Sequence, residues 1–124
     1  MDKNVMLFHY DYDEDILFFY SKEKHEYDVS EFLTNLIVLD FDENKFPIGI
    51  EILHASEVLN TEKHFLKNIE NGEIAIEINE DKIKLKLSLI ISVYQKDTTL
   101  PISVIGANKS QIPSIQTEIA LTTT

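Results

Sequence analysis

Apolar and polar positions alternate with period two over much of the chain. The alternation is cleanest at residues 82–93, where Ile83, Leu85, Leu87, Leu89, Ile91 and Val93 oppose Lys82, Lys84, Lys86, Ser88 and Ser92. Successive side chains of a strand point to opposite faces, so this stretch predicts a long strand with one buried and one wet face, in an antiparallel sheet packed on one side. Just before it, across a tight turn at Glu80-Asp81, Ile74, Ile76 and Ile78 alternate with Glu73, Ala75, Glu77 and Asn79. Near the N-terminus two apolar and aromatic runs, residues 5–10 and 16–20, flank residues 11–15, which carry four carboxylates. Like charges repel, so such a run belongs at an exposed turn, and the three pieces read as a hairpin. Residues 36–41 and 47–53 repeat the arrangement around a polar turn at 42–46, with Pro47 tolerated at a strand start. Along the return strand Ile48, Ile50 and Ile52 point one way and Gly49, Glu51 and Leu53 the other.

Between the hairpins, residues 21–34 are mixed and charged and are expected to form a loop or one helical turn. After Ala55 the period changes: Val58, Leu59, Phe65, Leu66 and Ile69 recur near helical spacing, Ser56 can cap the start, Asn60-Thr61 can split the segment, and Asn71-Gly72 supplies a stop. Residues 100–105 and 115–121 read as two further strands. The expected fold is α+β, mainly an antiparallel β sheet of about seven to eight strands with one short helical segment near residues 55–70. A chain of 124 residues is one domain by length. Whether residues 72–124 extend the first sheet or make a second layer is left open by the pattern.

Charge adds a constraint on partners. There are 22 acidic residues against 11 cations, every cation is a lysine, and arginine is absent. Nucleic-acid recognition would then depend on lysine point charges acting against a repulsive net field, so direct contact with DNA or RNA is not expected. Residues 1–60 hold 14 acids and 4 lysines, net −10, while residues 61–124 hold 8 acids and 7 lysines, net −1. There is no cysteine, which removes disulfides, zinc ribbons and thiol catalysis and fits a reducing compartment. The N-terminal sequence lacks a signal peptide's basic start and apolar run, and no window is long enough to span a membrane, so the expected location is cytoplasmic.

Two ordered segments carry a family likeness. Residues 10–20 read YDYDEDILFFY, with Tyr10, Asp11, Asp15, Leu17 and Phe18 as the matching positions. Residues 37–59 form an acidic hairpin leading through Gly49, Ile50, Glu51, Ile52 and Leu53 to Ala55 and Ser56. Over residues 10–59 the chain resembles the YuzE-like family of small uncharacterised prokaryotic domains, domain of unknown function 2283. The resemblance implies a YuzE-like portion at residues 1–71, a small α+β unit, followed by a strand-rich C-terminal extension at 72–124. It brings no established catalytic residues. Some relatives are thought to be encoded beside small toxin-like ribonucleases, which suggests an antitoxin role by analogy. The turn departs from the family's usual glycine-containing pair, since Asn44-Lys45 stands there.

Candidate chemistry is sparse. Asp40-x-Asp42-x-Asn44 with Glu51 at the twelfth position imitates a calcium loop, but the sixth position is Lys45 rather than glycine, Pro47 follows, and strands rather than helices flank it. Asp11-x-Asp13-x-Asp15 fails in the same way, with Ile16 and Lys22 at the positions that need glycine and a carboxylate. A weak divalent-ion site would require the two acidic turns to share one end of the sheet. His9, His25, His54 and His64 show no metal-ligand spacing, and neither a phosphate loop nor a GxSxG elbow is present. The Lys82, Lys84, Lys86 row reads as the wet face of a strand, able to meet the acidic half of another subunit. No cofactor, metal site or catalytic residue is therefore expected. The expected function is a noncatalytic interaction module, a candidate homodimer, whose acids Asp11, Asp13, Glu14, Asp15, Asp40 and Asp42 contact a protein partner. By analogy that partner is a basic toxin-like protein. The alternative is a small-molecule or divalent-ion binding domain.

Overall fold

In the computed structural model, which describes residues 4–123, nine strands share one sheet. They are β1 (Asn4–Asp11), β2 (Ile16–Ser21), β3 (Tyr27–Thr34), β4 (Ile37–Asp42), β5 (Pro47–Ile52), β6 (Ile69–Ile78), β7 (Lys82–Val93), β8 (Lys96–Ala107) and β9 (Ile115–Thr122). Their spatial order is β3-β4-β5-β2-β1-β9-β6-β7-β8. Every neighbouring pair is antiparallel except β1 and β9, which run parallel. β9 thus inserts between the first hairpin and the β6-β7-β8 meander, and residues 72–124 extend the first sheet.

The sheet curls into a half-barrel with one continuous core. Leu17 and Phe19 of β2, Leu39 and Phe41 of β4, Ile50 and Ile52 of β5, Ile74 and Ile76 of β6, and Ile83, Leu85, Leu87, Leu89 and Ile91 of β7 all point inward and are almost wholly buried. α1 (Ala55–Val58) and a 3-10 helix (Lys63–Asn68) add Leu59 and Leu66 to this core. The two outermost strands approach each other at one place. A Cβ on Gly106 of β8 would lie 2.7 Å from the Leu33 Cα of β3, so only a residue without a side chain permits the contact. Next to it the β8–β9 loop docks: Ser110 N–H donates to the buried Glu31 carboxylate at 2.8 Å, and Ile112 enters the core. Asn108 holds the loop's shape, donating through Nδ2 to the carbonyls of Asn79 (3.0 Å) and Ile112 (2.8 Å) and accepting the Ile112 N–H at 2.8 Å.

The hairpins, the long alternating strand and the split in the helical segment lie where the pattern places them. The strand number and three details differ. Residues 27–34 form β3, not a loop or helical turn, because Val29, Glu31 and Leu33 face inward against β4; a carboxylate in the inward series hides the alternation. Asn71-Gly72 does not stop a helix but lies within β6, and Gly72 is required by close packing, since a Cβ there would meet the Ser88 carbonyl oxygen at 2.5 Å. Ser56 does not cap α1 by itself. Its N–H and hydroxyl both bind Asp15, which serves as a capping group from 41 residues earlier.

Candidate functional site

The six acids singled out by the sequence do not form one surface. Leu17, just after the first acidic turn, pairs with Ile52 at the far end of β5, whereas Gly49, just after the second turn, pairs with Tyr20. The two turns therefore stand at opposite ends of the sheet and cannot hold an ion together. Among the described residues no three His, Cys, Asp or Glu side chains converge as a metal site. At the first turn Asp13 and Glu14 are exposed, and Asp11 accepts the Glu14 N–H at 3.1 Å. Asp15 is half-buried and accepts from Tyr10 Oη (2.6 Å), Ser56 N (3.0 Å) and Ser56 Oγ (2.6 Å). Burial pushes its pKa up, but the hydrogen bonds from Ser56 and Tyr10, with the charge of Lys63, outweigh that and hold the carboxyl below its ordinary value. The same arrangement, burial first and then the Asp15 carboxylate, raises the Tyr10 phenol well above its usual range. Asp42 is buried and shapes its own turn, accepting the N–H groups of Asn44 and Phe46 at 2.9 Å each, with His25 Nδ1 at 3.0 Å.

Asp40 is placed differently. It belongs to the outer face of the N-terminal half, where β-pairing lays out two rows of side chains. In one, Phe32, Val38, Glu51, Phe18 and His9 stand side by side across β3, β4, β5, β2 and β1; in the other, Ser30, Asp40, Gly49, Tyr20 and Leu7 do so. The solvent face of an antiparallel sheet is normally polar. Here Phe32 is 60% exposed, Tyr27 61% and Tyr20 41%, while Val38 and Leu7 are buried.

Gly49 opens this surface. With no side chain on the floor, Tyr20, Tyr27, Phe18, His9, Asp40 and Glu51 surround a pocket of roughly 440 Å3. The His9 and Phe18 rings stack at one end, 6.3 Å between centroids and 22° apart. Ser30 Oγ donates to Asp40 Oδ1 at 2.5 Å and lies 2.8 Å from Tyr27 Oη. A carboxylate only accepts, so the serine proton is committed to Asp40, and Tyr27 must be the donor to Ser30. This relay fixes the carboxylate by one oxygen and leaves Oδ2 over the pocket, 3.3 Å from where a Gly49 Cβ would be. Among the described residues neither Asp40 nor Glu51 has a cationic partner within salt-bridge distance.

Sequence reasoning selected Asp40 and noticed Glu51 and Gly49, but missed the aromatic walls. The signal was present: once Leu17 and Phe19 are assigned inward, Phe18 and Tyr20 must face out, and ILFFY is apolar on both faces. The outer face of the C-terminal half contrasts with it. There a groove of roughly 500 Å3 includes Ala75, Ala120, Ser88 and Ser103, and Lys86 stands among Glu73 and Glu118. No helix among the described residues is long and apolar enough to cross a membrane.

The family model "Protein of unknown function (DUF2283)" matches residues 7–56, which run from β1 to the first turn of α1 and contain all six acids and the Gly49 pocket. The chain belongs to the DUF2283 family. It is 33% identical over 109 residues to a Methanosarcina mazei protein named "Putative hypoxanthine phosphoribosyltransferase", an alignment covering 88% of this chain and 87% of the relative. It is 36% identical over 103 residues to an uncharacterised protein of Methanocaldococcus jannaschii, covering 80% and 84% of the two chains. Both alignments run well beyond the family model, so these two relatives share sequence with the β6–β9 half too. No solved structure matches the chain.

Proposed function

We propose that this DUF2283 protein is a noncatalytic protein-interaction module, acting in the cytoplasm, whose contact surface is the outer face of β1–β5. The observation that carries the reading is the outer face on which Phe32 and Tyr20, one in each cross-strand row, and Tyr27, at the start of β3, are exposed to solvent. Aromatic side chains exposed on one sheet face are costly to leave in water, and the centres of interaction sites are enriched in such residues. A basic protein suits the charge, because the first 60 residues carry net −10. A toxin-like ribonuclease, as the family analogy suggests, is a partner of that kind, and Asp13 and Glu14 at the exposed β1–β2 turn would add attraction at the rim.

The phosphoribosyltransferase name of the Methanosarcina relative is not carried over. Phosphate-bearing substrates are held by glycine-rich loops at helix N-termini together with lysine or arginine. In this chain all three glycines lie inside strands with negative φ, α1 has four residues, and there is no arginine.

A photo-cross-linking amino acid at position 32, introduced in the native host, tests the reading. The expected result is an adduct with a different polypeptide, absent when the same group replaces Ala107 and reduced at high salt. A face that captures no protein would refute it. The groove over Ala75 and Ala120 favours a second reading, in which this sheet face binds a small molecule or meets a second copy of the chain through Lys86. Sedimentation of the native protein separates these, since self-association doubles the mass and a small ligand does not.

A further inference from the structure

We propose that the Gly49 pocket receives the guanidinium group of an arginine side chain presented by a protein partner, an inference that rests on the interaction reading above. Two half-buried carboxylates, Asp40 and Glu51, face the pocket without a cationic partner among the described residues. Their charge excludes an anionic occupant and disfavours a purely apolar one, because a carboxylate covered by hydrocarbon would lose hydration with no compensation. The walls are aromatic, and ring faces attract a cation. A metal ion is the poorer fit, since among the described residues no three His, Asp or Glu side chains converge there as ligands.

Geometry favours arginine over lysine. The Tyr27–Ser30–Asp40 relay holds the Asp40 carboxylate by Oδ1 and leaves Oδ2 to accept from a ligand. Glu51 stands on the same strand as Gly49, two residues further along, and is diagonal to Asp40 across the β4–β5 pair. A planar fork with five N–H donors can reach both carboxylates while its face lies against Tyr20, whereas an ammonium is a compact point charge that can satisfy one well. The chain's own composition then says where the group comes from. It contains no arginine, so a guanidinium in this pocket belongs to another protein rather than to a second copy.

The test is an NMR titration of the full 15N-labelled chain with N-acetyl-arginine amide, with the citrulline and lysine analogues as neutral and ammonium comparisons. The expected result is saturable shifts at Gly49, Asp40, Glu51 and Tyr20, with affinity for the arginine probe about tenfold above that for either comparison. Asp40→Asn and Glu51→Gln should each weaken it by about fivefold, and Glu80→Gln, at the exposed turn between β6 and β7, should leave it unchanged. Because Asp40→Asn also alters the bond to Ser30, Glu51→Gln and Tyr20→Leu supply variants outside that relay. Equal binding of citrulline, equal binding of lysine, or shifts spread without saturation over Asp13 and Glu14 would each overturn the assignment. If the arginine probe fails while cross-linking at position 32 still captures a protein, the interaction reading stands and only the occupant is wrong.

Discussion

Replacing Asp15 tests whether a carboxylate in the acidic turn is a structural tie or a free surface charge. Its side chain receives three hydrogen bonds, from Tyr10 Oη, Ser56 N and Ser56 Oγ, and its carbonyl accepts the Ala55 N–H at 2.9 Å. Hydrogen bonds to charged groups contribute about 1.5–3 kcal/mol each when well buried, and loss of a helix cap costs about 0.5–2 kcal/mol. Asp15 is only half-buried and water can replace part of what is removed, so Asp15→Ala should cost about 3 kcal/mol in total rather than the full sum. Part of that arises because Asp15 has φ 55°, a left-handed conformation that alanine adopts less readily than aspartate or asparagine. Asp15→Asn keeps the shape, the φ tolerance and one acceptor oxygen, and should lose about 1–2 kcal/mol. Urea unfolding gives both values, with the midpoint shifted and the slope unchanged. The pH dependence follows from the lowered pKa. The folded protein binds the Asp15 proton less readily than the unfolded chain does, so the stabilisation is complete above the unfolded value near 4 and is lost as pH falls through the lower folded value. The gap between wild type and Asp15→Asn should therefore narrow below about pH 4. An Asp15→Ala protein within about 0.5 kcal/mol of wild type at pH 7 would refute the tie, since that is the scatter of ordinary surface substitutions.

Gly106→Ala should force Leu33 away from β8 and lose about 1–3 kcal/mol, with faster hydrogen exchange confined to β3 and the end of β8. Asn108→Ala removes three bonds at a buried site and leaves Ile112 N–H and two carbonyls unpaired, so a loss of about 2–4 kcal/mol is expected, measured by thermal unfolding. Phe32→Ser, at an outward position 60% exposed, should leave stability within about 0.5 kcal/mol while weakening partner capture in a pull-down; unchanged capture would move the contact elsewhere.

Much of the architecture was legible because period-two alternation is a direct image of a sheet with one buried face. β7 is the clearest case: its inward positions from Ile83 to Ile91 are almost wholly buried and its lysines exposed, as the pattern requires. β3 was illegible for a physical reason. Its inward series contains Glu31, whose carboxylate is satisfied by Ser110, 79 residues away in sequence, and no local pattern announces a partner that distant. The parallel contact between β1 and β9 was hidden in the same way, since strand order is a tertiary property and both strands carry the same alternation whichever neighbour they take.

The acids illustrate why the candidate surface was only half readable. Composition reports a carboxylate as a charge, but the fold decides whether that charge is available. Asp15 spends its oxygens on Tyr10 and the start of α1, and Asp42 spends one on the backbone of its own turn and the other on His25. Asp40 spends one oxygen and keeps the other, because the residue opposite it on β5 is glycine and leaves space above the sheet. That space, rather than the local density of negative charge, distinguishes a place where a partner's side chain can enter. On the proposed interaction reading, the aromatic residues around it follow as well: Tyr20 and Tyr27 would be exposed only in the free protein and covered when the partner is bound.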